Sequence, residues 1–167
     1  LGLIFYILLA RFLGPANFGI FSVSVLALTL TSDLANIGTD TGIVKFVCKY
    51  FKSDPDKALK FLKLGLKTKT IVSALLIAGL WFLIPTIAEN LLRKPEFTTP
   101  LRIALFGSAG ALFFSFVTSA IQAVQKFFSW SVLTVGMNAL RLLAILLLFA
   151  FGSLSLNLSL ATYSLIP

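Results

Sequence analysis

Thr70 to Ala88 reads TIVSALLIAGLWFLIPTIA, nineteen residues without a charge. A helix needs about 20 predominantly apolar residues to cross the hydrocarbon of a bilayer, so this run is long enough to span it. Ile103 to Gln125, IALFGSAGALFFSFVTSAIQAVQ, is a second uncharged run of the same kind. The whole 167-residue chain follows suit: it is 58% hydrophobic with a mean hydropathy of +1.00, against roughly 45–50% apolar residues in a soluble domain. Polar/apolar alternation of the barrel kind is confined to the short SLSLNLSL near the end. Backbone groups in lipid must find partners within the spanning segment, which leaves a helical bundle. The sequence therefore predicts an all-α integral membrane protein.

Working outward from the two runs gives five complete or nearly complete transmembrane helices and the start of a sixth, in one membrane domain over 1–167. They are expected at about 1–13, 18–45, 70–88, 101–125, 128–150 and 158–167, with Pro85 as a kink near the end of the third. Residues 1–13 have neither the basic leader nor the small-residue cleavage site of a signal peptide, and read as the remainder of a first membrane helix. Both ends look cut.

Charge orients the bundle. Of a net +8, eight lysines fall between Lys45 and Lys69, so the basic loop 46–69 is expected on the cytoplasmic side. Alternation then puts the N-terminus inside and LGPAN outside. The connection from Glu89 to Arg102, with three basic and two acidic residues, also lies outside. QKFFSW returns inside with Lys126 and an interfacial Trp130. Within the basic loop, SDPDKALKFLK has the signals of a helix start: Asp54 as cap, Pro55 at the first helical position and Asp56 at the positive dipole end. Lys57, Lys60, Lys63 and Lys67 then share one side opposite leucines and Phe61, an interfacial amphipathic helix facing anionic lipid heads. Capping accounts for the DPD carboxylates without a metal, and the membrane-flanking position accounts for the lysines without nucleic acid.

Three helices carry polar residues at helical spacing. Ser22, Thr29, Asp33, Asn36 and Asp40 recur at seven, four, three and four; Ser108, Ser115, Ser119, Gln122 and Lys126 repeat that pattern; Ser131, Thr134, Asn138 and Arg141 follow at three, four and three. Hydroxyl and amide groups knit helices together by hydrogen bonds, and that reading suffices for the serines and threonines. GTDTG, Gly38 to Gly42, is first of all a small-residue helix contact. Arg141 is different. Midway along its helix it costs about 2.5–3.5 kcal/mol to insert. The eleven Leu, Ile, Val and Phe residues from Val132 to Phe149 return at most about 0.3–0.6 kcal/mol each, so insertion tolerates the arginine without requiring it. At 1.5 Å per residue Asp33 lies about 18 Å in from Lys45 and Arg141 about 20 Å in from Phe128, which makes Asp33 its expected mid-membrane partner.

With one cysteine, Cys48, and no histidine, the chain offers no disulfide framework, no zinc or haem ligand set and no expected cofactor. A membrane-embedded phosphotransferase would need clustered aspartates for magnesium or a histidine base, and the sequence has neither.

The stretch ILLARFLGPANFGIFSVSVLALTLTSDLANIGTDTGIVKFV, together with the arginine of the fifth helix, resembles bacterial and archaeal polysaccharide-unit flippases of the multidrug, oligosaccharidyl-lipid and polysaccharide exporter superfamily. The resemblance implies a transporter of two six-helix lobes, of which this chain is nearly all of the N-terminal one. It implies movement of isoprenoid-pyrophosphate-linked oligosaccharide to the outer leaflet by rocking around a central cavity. A pyrophosphate path needs fixed cations at depth and hydroxyl or amide groups for sugar. Arg141, Asn138 and Gln122 supply these, Lys45 and Lys49 stand at the expected cytoplasmic entrance, and Arg11 is first a snorkelling anchor and C-terminal dipole partner and, in its functional reading, a cation at the exit. Asp33 and Asp40 are acceptors that a proton or sodium ion could neutralise for energy coupling. A cation or drug exporter of the same superfamily and a non-transporting scaffold are the rival readings.

Overall fold

A computed structural model describes residues 2–91, 93–150 and 155–166. Among them there is no strand, and the helices are α1 (Gly2–Asn36), α2 (Thr39–Tyr50), α3 (Pro55–Thr86), α4 (Thr98–Ala123), α5 (Phe127–Ala150) and α6 (Leu156–Leu165), with a π turn at Ile87–Leu91 and a 3₁₀ turn at Pro95–Phe97. The chain is an all-α membrane protein. Gly2–Asn36, Pro55–Asn90, Pro95–Ala123 and Phe127–Ala150 are each long and apolar enough to cross a bilayer. Residues 1 and 167, at the outer limits of the expected first and sixth helices, lie outside the described residues.

α1 is two arms rather than one rod. Gly14 has φ 73° and ψ 167°, outside the helical region, and Pro15 follows it. In a straight helix Phe5 and Phe21 would be about 24 Å apart along the axis, yet their ring centroids are 6.4 Å apart, so the chain folds back on itself at the glycine. A residue without Cβ adopts positive φ without strain, and proline fits the first turn of the arm that follows. The turn falls within LGPAN, Leu13 to Asn17.

Two expected helices have different bounds. The helix read over 18–45 is broken: Ile37 (φ 39°) and Gly38 (φ 70°) are left-handed, and helix resumes at Thr39. Asn36 makes the break, its side-chain oxygen accepting from the Asp40 N–H at 3.3 Å while the Thr39 hydroxyl donates to the Asn36 carbonyl. The helix read over 70–88 begins fifteen residues earlier, at Pro55, so most of the loop 46–69 is helical. Lysine and leucine are good helix formers and no proline interrupts Ala58 to Thr70. Gly65, the weak point, is kept by packing, because a Cβ there would come within 2.8 Å of the Ile43 side chain. The start of α3 is as expected: the Asp54 carboxylate accepts from the Lys57 N–H at 3.1 Å and pairs with its ammonium at 2.7 Å.

α4 is the central post, touching α1, α2, α3, α5 and α6. Phe5, Leu9, Phe21, Val25, Ile145 and Leu160 join both arms of α1 to α5 and α6. Ile84, Ala88, Phe97, Leu101 and Leu105 pack with Ile20 and Val23 of α1, while Ile43, Val47, Ala58 and Ala123 join α2, α3 and α4. The second cluster holds the π and 3₁₀ turns and the third holds the 50–55 and 123–127 turns, so they mark opposite ends of the bundle. Lys49 and Lys126 therefore share an end, where Gln125 also reaches Cys48 at 3.7 Å. α6 is seated closely on α4: a Cβ on Gly107 would overlap that of Ser164 and come within 2.8 Å of Leu28 Cδ1.

Candidate functional site

Arg141 lies about 21 Å along α5 from Phe127 at 1.5 Å per residue. Half-buried, it donates from Nε to the Ile166 carbonyl at 2.8 Å, and its guanidinium carbon lies 4.2 Å from the centroid of the Tyr163 ring. Tyr163 in turn shares a hydroxyl–hydroxyl hydrogen bond of 3.2 Å with Tyr6. A guanidinium over an aromatic face is held both by charge and by stacking, which suits arginine in a place where water is scarce. A cavity of about 150 Å³ opens beside it, lined by Leu28, Thr29, Phe114, Arg141, Tyr163 and Ser164 among others. Thus a cation, the hydroxyls of Thr29, Tyr163 and Ser164, and apolar walls meet midway along the spanning helices. Neither tyrosine belongs to a polar stripe, and their aromatic spacing alone reads as core packing.

Asp33, the expected partner, does not pair with Arg141. The ion pairs among the described residues are Lys57 with Asp54 and Lys69 with Asp40. Asp33 is exposed, one helical turn beyond Thr29, which lines the Arg141 cavity. The depth of Asp33 was counted straight through the Ile37–Gly38 break, and depth along a helix does not fix the rotation that would bring two side chains face to face.

Lys69 is the residue that sequence reasoning missed. Counted with the loop lysines, it is instead fully buried at 0% exposure. Its ammonium donates to Asp40 Oδ1 at 2.6 Å, Ser115 Oγ at 2.6 Å and the Leu112 carbonyl at 3.3 Å, which uses all three donors. The Ser115 hydroxyl gives its own hydrogen to Leu112 O at 2.9 Å, leaving a lone pair for the lysine. Asn36 Nδ2 donates to Asp40 Oδ2 at 2.7 Å. The signal was present: Lys69 is two positions, about 200°, from Lys67, and falls with the small residues Ala58, Gly65 and Ser73 on the buried face of α3. Asp40 is thus ion-paired with Lys69 at 2.6 Å. Breaking a buried pair by removing one member costs about 3–5 kcal/mol.

The remaining predicted residues are not gathered into one pocket. Asn138 stands one turn before Arg141 and donates to the Thr134 carbonyl of its own helix at 2.8 Å. Gln122, half-buried, lies about 16 Å along α4 from Ala111 at the Arg141 cavity. Lys45 and Lys49 are exposed on α2, their ammonium groups 5.9 and 5.3 Å from the Phe46 and Tyr50 rings. Arg11 is exposed just before the Gly14 turn. The order along the bundle is Arg11, then Arg141 and Asn138, then Gln122, then Lys49. Of the polar rows, Ser22, Thr29 and Asp33 on α1 are exposed, whereas Ser108 and Ser119 on α4 are buried within the bundle.

Residues 1–166 match the family described as polysaccharide biosynthesis protein. The chain belongs to this family. It is the family of polysaccharide flippases within the multidrug, oligosaccharidyl-lipid and polysaccharide exporter superfamily, and its members are transporters and not enzymes. No curated protein and no solved structure matches the chain significantly. For a membrane protein of the polysaccharide biosynthesis family, a lipid-linked sugar is the implied substrate class.

Proposed function

We propose that this chain is the N-terminal lobe of a two-lobed flippase that carries isoprenoid-pyrophosphate-linked oligosaccharide across the cytoplasmic membrane by alternating access. The observation that carries the reading is Arg141 in the wall of a mid-bundle cavity. A guanidinium there is a preorganised partner for phosphate oxygens, which it engages through two parallel N–H donors, and without such a partner a pyrophosphate crossing hydrocarbon bears the cost of unshielded charge. Thr29, Asn138 and Gln122 serve the sugar. Lys45 and Lys49 gather the anionic headgroup at a cytoplasmic entrance, with Lys57, Lys60, Lys63 and Lys67 on anionic lipids beside it. Arg11 receives the headgroup at the exit, and Asp33, exposed one turn from the Arg141 cavity, takes the proton or sodium ion that drives the cycle.

A cation exporter of the same superfamily is the second reading, favoured by the same exposed Asp33. Reconstitution of the full-length protein separates them. With a fluorescent isoprenoid-pyrophosphate disaccharide in the vesicles, the flippase reading expects the sugar to become accessible to an impermeant glycosidase on the opposite side, and an isoprenoid-linked neutral sugar to cross at least tenfold more slowly. Transport of lipophilic cations with no movement of the pyrophosphate lipid would overturn it.

A further inference from the structure

The oxygen cluster around Lys69 has the make-up of a monovalent-cation site: the Asp40 carboxylate, the Ser115 hydroxyl and the Leu112 carbonyl converge from two helices on one point, with the Ser119 hydroxyl beside the carboxylate. Hard oxygen donors of this kind suit a small cation as well as an ammonium. The point is already filled. The side chain that fills it comes from a third helix, is wholly buried, and has each of its donors matched. The Asp40 side chain is 21% exposed, and its second oxygen is taken by Asn36 across the Ile37–Gly38 break.

We propose that Lys69 is the resident cation of Asp40: its ammonium occupies the place a coupling ion would need, fastening α2 and α3 to α4 as one internally neutral unit and excluding Asp40 from ion coupling. An ion binding at Asp40 would have to expel a tethered charge that cannot diffuse away, leaving a bare ammonium among apolar helices. Among the described residues no cation pairs with Asp33, so the two carboxylates of the α1–α2 stripe are chemically unlike in spite of their helical spacing. The last clause of the proposal rests on the transporter reading; the occupancy of the cluster does not.

The test uses the full-length protein, first in detergent. Lys69→Met and Asp40→Asn, each leaving one buried polar partner unmatched, are expected to lower Tm by about 5 °C or more. The double variant, with both charges gone, should recover at least half of that loss. Any stabilisation of wild type by sodium over potassium or choline chloride of equal ionic strength, as an ion on Asp33 would give, should be kept in Asp40→Asn and in the double variant. Losses that simply add in the double variant overturn the proposal, as does a sodium-specific stabilisation of wild type that Asp40→Asn abolishes. Should neither single variant fold, a double variant that folds with the wild-type response to sodium supports the pair, and one that fails to fold overturns it. In proteoliposomes the double variant should keep the wild-type dependence of transport on the ion gradient, and loss of that dependence overturns the exclusion of Asp40. If wild type moves no pyrophosphate lipid, the transporter reading fails while the stability measurements still decide the pair.

Discussion

Single side chains in this bundle act through what already surrounds them. Gly107 and Gly79 make the point by contrast. An alanine in the interior of a helix is worth about 0.8–1 kcal/mol over glycine, and at Gly79 nothing lies within 4 Å of the added carbon, so Gly79→Ala should raise Tm. At Gly107 the same carbon would overlap Ser164 and approach its Cα to 3.1 Å. A backbone cannot step aside, and overpacking costs about 1–3 kcal/mol, so here the steric term outweighs propensity and Gly107→Ala should lower Tm. Thermal melts of the two variants in one detergent check the opposite signs. Arg141 stands in similar dependence on its neighbours: Tyr163→Leu removes the ring beneath the guanidinium and is expected to reduce transport several-fold in the reconstituted assay, with Tyr163→Phe close to wild type because the face is retained.

At the scale of helices, ends and breaks do the organising. The Asp54 cap starts α3, and the Lys57 side chain, with its backbone N–H, holds the Asp54 carboxyl below the usual carboxylate range. A carboxyl with a depressed pKa contributes stability above its unfolded value and loses it as pH falls through the folded one. Protection of the first turn of α3 against hydrogen exchange should therefore weaken only below about pH 4, and in Asp54→Ala it should be low and flat with pH. The helical membrane class, this cap and the Gly14 turn were legible in the sequence because hydropathy, capping residues and Gly-Pro are local signals. The break at Ile37–Gly38 was not, since the apolar pattern runs through it and only the Asn36 side chain, bonded to Asp40, makes the turn tolerable. Nor was the continuity of the amphipathic and spanning parts of α3, because the lysines up to Lys69 suggested that the spanning part begins only at Thr70. Lys69 and the unpaired Asp33 share one cause: periodicity tells which residues share a face, and tertiary rotation decides what that face meets.

Taken whole, the bundle has one lysine-rich end and one end closed by the π and 3₁₀ turns, with Arg141 between them. By the positive-inside rule the lysine-rich end is expected in the cytoplasm. A Ser53→Cys variant with other cysteines replaced should react with an impermeant maleimide only after cells are opened, and labelling of intact cells would invert the topology. In the proposed cycle the guanidinium of Arg141 is the mid-membrane contact for the pyrophosphate. Charge-assisted hydrogen bonds of this type are worth about 1.5–3 kcal/mol, or roughly 10–100-fold in rate. The direct measurement is the flipping rate of a pyrophosphate-linked isoprenoid glycan by full-length protein carrying Arg141→Ala, Arg141→Lys or no change, with Tm recorded for each. The account predicts a 10–100-fold loss for alanine and a smaller loss for lysine, at comparable stability. Wild-type flipping by a stably folded Arg141→Ala protein would contradict it.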